Sequence, residues 1–416
     1  EMDELLRSGQ IIGPLHGVPL SVKEAFHVVN MKTTGGLVHR QDLISRQDAH
    51  VVKLVKDAGA IILGKTNTPT LCFSQETENK LYGRTNNPWD LSKTSGGSSG
   101  GEGALLATGA STLGIASDIG GSIRIPAHFN GVIGFKPGMK QIMAEGHFPK
   151  TTTDLQERMF SIGTMGKSVR DMRLMYQILS GNYLHNKSLR KFKIEILPST
   201  MDYPLSDPTI DLLDEIELYL GKTFSIKRTV PPYFEESARL WQEILSSGDS
   251  SVLEKGAYNN DRSRLMKGFI REKLTEKTTI HPFLSRSILA SKIFKPSAKR
   301  LKEIREIITQ GDQRLHHYLE NRLLVFPVYY TSAPRHGKVY QEIFSIRKSF
   351  LKYMPYVAYA NVWGLPSLSI PVGEDQHHLP ISIQIMSING NEDAILKLGR
   401  IIEKRFRGFK RCRKYD

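Results

Sequence analysis

Leu15, Val18, Leu20 and Val22 form an extended apolar pattern that stops at Lys23, which predicts a strand carrying Lys23 at its tip. Val51, Val52, Leu54 and Val55 then recur at helical spacing. Asp48 reads as the N-cap of that helix and Gly59 as its C-cap glycine. Ala60 to Gly64 follows as a buried strand, and strand-helix-strand order argues for an α/β sheet. Glu102 to Thr112 predicts a helix whose Ala104, Ala107 and Ala110 permit close packing. Leu113, Ile115 and Ala116 form a short buried strand leading into Asp118, and Val132 to Pro137 gives another. From about 182 to 320 charged helical stretches dominate, such as 211–220 and 301–308, and predict a variable helical layer over the sheet. Strands return at 323–327, 367–373 and 381–385, and a helix over 393–404 closes the pattern. No internal repeat is visible.

A chain of 416 residues can bury a large core, as one α/β domain or as a domain with an inserted subdomain. We divide it into a core at 1–175, the helical layer at 182–320, a return to the sheet at 323–404 and a basic tail at 405–416. The net charge is +15, concentrated toward the end in Lys404, Arg405, Arg407, Lys410, Arg411, Arg413 and Lys414. Such a tail is ordinarily a solvated terminus; the sharper reading is a tether to anionic lipid. No nucleic-acid motif is present, so nucleic acid is not an expected partner. The two cysteines, Cys72 and Cys412, exclude a disulfide framework and favour a reducing, intracellular compartment. Cys72, between Leu71 and Phe73, reads as a buried structural cysteine. No HExxH or paired CxxC occurs, so neither metal nor cofactor is signalled. No apolar run is long enough to span a membrane. The first residue is Glu1, which predicts a chain trimmed at its start and leaves an upstream anchor open.

Two glycine-rich turns carry the candidate chemistry. In the first, Gly96 to Gly101 encloses Ser98 and Ser99; in the second, Asp118-Ile119-Gly120-Gly121 leads to Ser122. A glycine/serine run is ordinarily a flexible loop. A phosphate loop would end in Gly-Lys-Ser/Thr, whereas Glu102 follows here. Gly96 to Gly100 matches a nucleophile elbow by letter, but the residues before it are polar, whereas an elbow follows an apolar strand. The remaining reading is a proton relay between a base and Ser122. Around Ser122 the glycines allow successive amides, Ile119 to Ser122, to surround an oxyanion, while Asp118 and Arg124 pair to pin the loop. The ordinary alternative is a glycine-rich cap feeding a helix. Lys23, at the end of a buried strand, is the base candidate, because burial favours the neutral amine. None of the histidines has a context that suggests a Ser-His-Asp triad.

These blocks resemble the amidase signature family. Gly17-Val-Pro19-Leu-Ser-Val-Lys23-Glu24, the Gly96–Gly101 block and Ser117-Asp118-Ile-Gly-Gly-Ser122-Ile-Arg124 match its motifs in order. The resemblance covers the first 175 residues strongly and 323–404 again. It implies a central mixed, twisted sheet of many strands with helices on both faces. It further implies a nucleophile at Ser122, a bridging serine at Ser98, a catalytic lysine at Lys23, supporting Ser99, and a cis peptide bond at Gly97–Ser98. Amide or ester hydrolysis through an acyl-enzyme follows, with no cofactor. Glu102-Gly103-Ala104-Leu105 is similar to the fatty-acid amide hydrolase branch, which implies a lipophilic amide substrate, peripheral membrane contact and, as an allowed assembly, a homodimer. Residues 283–294 are either an amphipathic, membrane-facing helix beside a substrate entrance or a surface helix facing the core. Gly138, Thr164 and 378–382 depart from the family pattern in the scaffold. Competing readings are the amidase component of a tRNA-dependent amidotransferase, which needs partner proteins, a catalytically silent binding protein, and a basic nucleic-acid binder resting on the tail alone.

Overall fold

The apolar runs assemble into one ten-stranded mixed sheet. The computed structural model describes residues 2–200, 205–248, 250–259, 281–344 and 349–414. The strands are β1 (Pro19–Lys23), β2 (Ile61–Thr66), β3 (Leu113–Asp118), β4 (Ile133–Lys136), β5 (Ser161–Gly166), β6 (Lys193–Ile196), β7 (Ile226–Arg228), β8 (Arg322–Pro327), β9 (Ser367–Glu374) and β10 (Pro380–Met386). Their spatial order is β7-β6-β8-β10-β9-β4-β5-β3-β1-β2. β1 pairs in parallel with β2 and β3. From β3 across to β8 the neighbours are antiparallel. β8, β6 and β7 are parallel again.

β3, β4, β5 and β10 are buried at every position, so both faces of the central sheet are covered. Period-two alternation divides adjacent residues between the faces. Ala116 of β3 packs with Leu106 and Ala107 of helix Gly100–Thr108 and Ala127 of helix Arg124–Asn130. Its neighbour Ile115 joins the larger core, with Met172 and Met175 of helix Val169–Ser180 and Ile395 and Leu398 of helix Glu392–Arg405. Among the described residues no helix is long and apolar enough to cross a membrane.

Five expectations are corrected. β2 is not a buried strand: it is the sheet edge, with Ile61 41% and Leu63 51% exposed. Asp48 does not cap the helix His50–Asp57, whose N-cap is Ala49. Its carboxylate accepts from Val29 N at 2.8 Å and from Lys56 Nζ at 2.8 Å instead. The helix expected from Glu102 starts at Gly100 and ends at Thr108. Glycine is needed at its start because a Cβ on Gly101 would lie 2.5 Å from Asn67 N. The 182–320 segment is not only helical, since it supplies β6 and β7; its residues 201–204, 249 and 260–280 lie outside the described residues. The basic tail is no solvated terminus. Arg411 Nε donates to Thr108 O at 2.7 Å and Cys412 N to Ala107 O at 2.8 Å. These are terminal carbonyls of helix Gly100–Thr108, where cations and spare donors are favoured. Gly138, a departure from the family pattern, sits where a Cβ would collide with Asn389 Oδ1.

Candidate active site

Two parallel strands deliver the site. β1 ends at Lys23, and β3, paired beside it, ends at Ser117 and Asp118. Lys23 is fully buried, and its Nζ donates to Ser98 Oγ at 2.7 Å and to Ser117 Oγ at 3.0 Å. Burial pushes the lysine below its ordinary value, against the opposing pull of Cys72 and Asp118. Under it, Glu102 accepts from Ser21 Oγ at 2.6 Å and Thr66 Oγ1 at 2.7 Å. Burial raises that carboxyl to about 7 despite both hydrogen bonds.

Ser98 precedes helix Gly100–Thr108, and the Gly97–Ser98 peptide bond is cis. Its carbonyl accepts from Thr68 Oγ1 at 2.9 Å. Ser99 N donates to Ser122 O at 3.3 Å, which ties the two glycine-rich turns together. Among the described residues the buried Ser99 hydroxyl has no hydrogen-bond partner. Among the described residues no hydrogen bond joins the Ser98 and Ser122 side chains; the two hydroxyls share a cavity wall instead.

The second turn is pinned from below. Asp118 and Arg124 pair at 3.0 Å with no exposure of either side chain. Burial would raise the Asp118 carboxyl, but the Arg124 charge and its hydrogen bonds prevail and hold it well below the usual carboxylate range. Gly121 N donates to Asp118 Oδ1 at 2.8 Å and Ile123 N to Oδ2 at 3.1 Å. Of the four amides expected around an oxyanion, the Gly121 amide is thus engaged within the turn. Trp241 Nε1 donates to Ile119 O and Gln75 Nε2 to Gly120 O, both at 2.6 Å. Two carbonyls of the turn are thereby held by side chains that line the same cavity as Ser122.

Ser122 opens onto a cavity of about 760 Å³, walled mostly by apolar side chains including Phe73, Trp241, Leu245, Phe283, Leu289 and Met354. Helix Pro282–Ile293 forms one side of it. The core-facing reading of 283–294 applies in part: Leu284 and Ile288 pack inward against Ala257 and Tyr258, while Ile293 and Phe294 line the cavity and are exposed. A narrower cavity beside it is walled by Ser98, Ser117, Ser122, His147 and Phe160. Cys72 is half-buried and lines both cavities, which corrects its reading as a buried structural thiol. Ser117 and His147 were not singled out by sequence; Ser117 lay inside a recognised block, whereas His147 carries no local signal. Among the described residues no group of His, Cys, Asp or Glu is arranged to hold a metal ion.

The family model for Amidase matches residues 1–396. Human fatty-acid amide hydrolase 2 is 31% identical over 418 residues, covering 95% of this chain and 76% of that protein. A glutamyl-tRNA(Gln) amidotransferase subunit from Clostridium kluyveri is 29% identical, covering 97% of this chain and 85% of that one. A crystal structure of an amidase superposes with a TM-score of 0.81 at 25% identity, covering 98% of this chain and 88% of its own. Peptide amidase from Stenotrophomonas maltophilia, at 22% identity and a TM-score of 0.79, shares the fold over 100% of this chain and 88% of its own. With the motifs in order, the mixed sheet behind them and a match over nearly the whole length, the chain belongs to the amidase family, amidase signature enzymes that hydrolyse carbon–nitrogen amide bonds.

Proposed function

We propose that the protein hydrolyses amides of long apolar acids through an acyl-enzyme on Ser122, with Ser98 and Lys23 as its proton relay. The observation that carries this reading is the 2.7 Å bond between a buried, depressed Lys23 and Ser98, which shares the wall of the narrower cavity with Ser122, while Ser122 also lines the larger apolar one. Neutral Lys23 takes a proton from Ser98 as Ser98 takes one from Ser122. The Ser122 Oγ attacks the amide carbonyl, and the amides of Ile119, Gly120 and Ser122 face the oxygen that becomes negative. Each aligned donor is worth about 3 kcal/mol. The Gly121 amide keeps its bond to Asp118 and holds the turn. The relay then runs backward and protonates the departing amine, and water releases the acid. Catalytic hydrogen bonds commonly close only around substrate, which accounts for the open Ser98–Ser122 step.

The cavity volume lies within the roughly 300–1,000 Å³ that enclose small-molecule ligands, and its walls suit an alkyl chain. The relative named as a fatty-acid amide hydrolase supports the same class. Exposed Ile293 and Phe294, beside Lys292 and Lys295, favour contact with an anionic intracellular membrane face at the cavity mouth. The test is labelling by a fluorophosphonate probe, with fatty amides of graded length as competitors. Ser122→Ala is expected to abolish labelling and Lys23→Ala to slow it at least ~100-fold. Full labelling of the Ser122→Ala chain would overturn the mechanism; competition independent of acyl length would overturn the substrate class. The likeness to a glutamyl-tRNA(Gln) amidotransferase favours a second reading, ammonia release from glutamine for a partner. Glutamine hydrolysis without fatty-amide competition would select it.

A further inference from the structure

Lys23 has a second partner that leads away from Ser98. Its Nζ meets Ser117 Oγ at 3.0 Å, and Ser117 Oγ meets His147 Nε2 at 3.0 Å. The other ring nitrogen, Nδ1, lies 2.9 Å from Pro149 O. A carbonyl oxygen only accepts, so Nδ1 carries the ring proton. Burial, with the Lys23 charge beside it, pushes His147 down to about 3, so the ring is neutral at ordinary pH and Nε2 offers a lone pair. Ser117 has one proton, and that lone pair takes it. Toward Lys23 the Ser117 oxygen is therefore an acceptor. Every bond direction is set from Pro149 inward.

The direction matters because a neutral amine has a single lone pair. A Ser117 hydroxyl donating to Lys23 would occupy the lone pair that must receive the Ser98 proton. A Ser117 oxygen that accepts takes one of the amine's N–H groups instead and turns the lone pair toward Ser98. We infer that His147 is a positioning residue: by holding the Ser117 proton it keeps the Lys23 lone pair aimed at Ser98. This rests on the relay reading of Lys23 and Ser98 given above. The ring is fixed in place by edge contacts with Phe26 at 5.0 Å and Phe160 at 4.8 Å between centroids. The titratable groups around it are Lys23 and His27, and those around Lys23 are Cys72, Asp118 and Glu102.

The experiment measures the rate constant of fluorophosphonate labelling across pH for the native chain, His147→Leu, His147→Gln, Ser117→Ala, Lys23→Ala and Ser122→Ala, with a thermal melt of each. His147→Leu is expected to lower the plateau rate at least tenfold. It also moves the rising limb to lower pH, because a freed Ser117 proton favours the neutral lysine. His147→Gln, whose side-chain oxygen accepts the Ser117 proton, restores most of the rate and the position of the limb. Ser117→Ala removes the hydroxyl that transmits the orientation and gives the second route to the same loss should the leucine chain fail to fold. A native plateau and limb in His147→Leu, or in Ser117→Ala where the leucine chain does not fold, overturns the inference, as does a glutamine chain no faster than leucine. Inert Ser122→Ala and Lys23→Ala beside a native-like His147→Leu would remove His147 alone. Undiminished labelling of Ser122→Ala would remove the relay itself.

Discussion

Arg124 uses every N–H of its guanidinium inside the protein. Nε donates to Asp118 Oδ2 at 3.1 Å, Nη1 to Val357 O at 3.0 Å and Gln384 Oε1 at 2.9 Å, and Nη2 to Asp118 Oδ1 at 3.0 Å and Asn361 Oδ1 at 2.7 Å. A buried charge of this kind is tolerated only when paired and fully hydrogen-bonded. Lysine would keep the charge but lose the planar fork. Arg124→Lys is therefore expected to cost about 3 kcal/mol in urea unfolding and to slow Ser122 labelling, because Asp118 also holds the Gly121 and Ile123 amides. A loss below ~1 kcal/mol would mean that the fork is dispensable. This pair was legible in the sequence because both residues flank one turn, and Lys23, Ser98 and Ser122 were singled out there through their glycine-rich or strand-end settings. His147 was not. Its contact with Ser117 spans 30 positions, and nothing in Gly146-His147-Phe148 marks a buried neutral ring.

Periodicity found seven of the ten strands described in the sheet, missed the fully buried β5 together with β6 and β7, and misjudged β2 as buried. Ile61 and Leu63 repeat at strand spacing, yet only the order of strands across the sheet decides that β2 has a neighbour on one side. The tail failed for a related reason. Charge density along 404–414 says nothing of the helix end that receives Arg411 and Cys412. Helix Pro282–Ile293 shows the converse, since its mixed pattern fits an element with one face inward and one end free. Its Ile293, 76% exposed, and the adjoining Phe294 are the apolar groups offered at the cavity rim. Each would contribute about 1.5–3 kcal/mol if buried in a membrane interface. Replacing both by aspartate is expected to lower partition into phosphatidylcholine–phosphatidylserine vesicles at least tenfold, with the melting temperature within about 2 °C of native, as for surface changes. Equal partition of the two chains would remove the membrane contact from the proposed function.

At the scale of the whole molecule, buried ionisable groups hold the centre of the sheet to the helix that follows the Ser122 turn. His128, on helix Arg124–Asn130, accepts Ser382 N at Nδ1, 2.8 Å away in β10. Its Nε2–H donates to Thr331 O at 2.9 Å, just beyond β8. One neutral ring thus joins the helix to two parts of the sheet, and a protonated ring would lose the bond to Ser382. Burial pushes this histidine down to about 4, against its two backbone hydrogen bonds. Between that value and 6.5 the unfolded chain binds a proton that the folded chain refuses, so stability rises with pH through the window and is lost as pH falls through it. One pH unit is worth about 1.4 kcal/mol for one such group, or roughly 3 kcal/mol from pH 6.5 to 4.5. Carboxyls such as Glu76 and Glu102, raised to about 7, act in the opposite sense over part of this range, so the total slope does not isolate the histidine. The difference between chains does. His128→Gln is expected to be less stable than native at pH 6.5 and to close that gap by about 1.4 kcal/mol per unit of acidification in urea unfolding, since the other groups titrate equally in both. Parallel stability curves for the two chains would show that the ring is not held neutral in the folded protein.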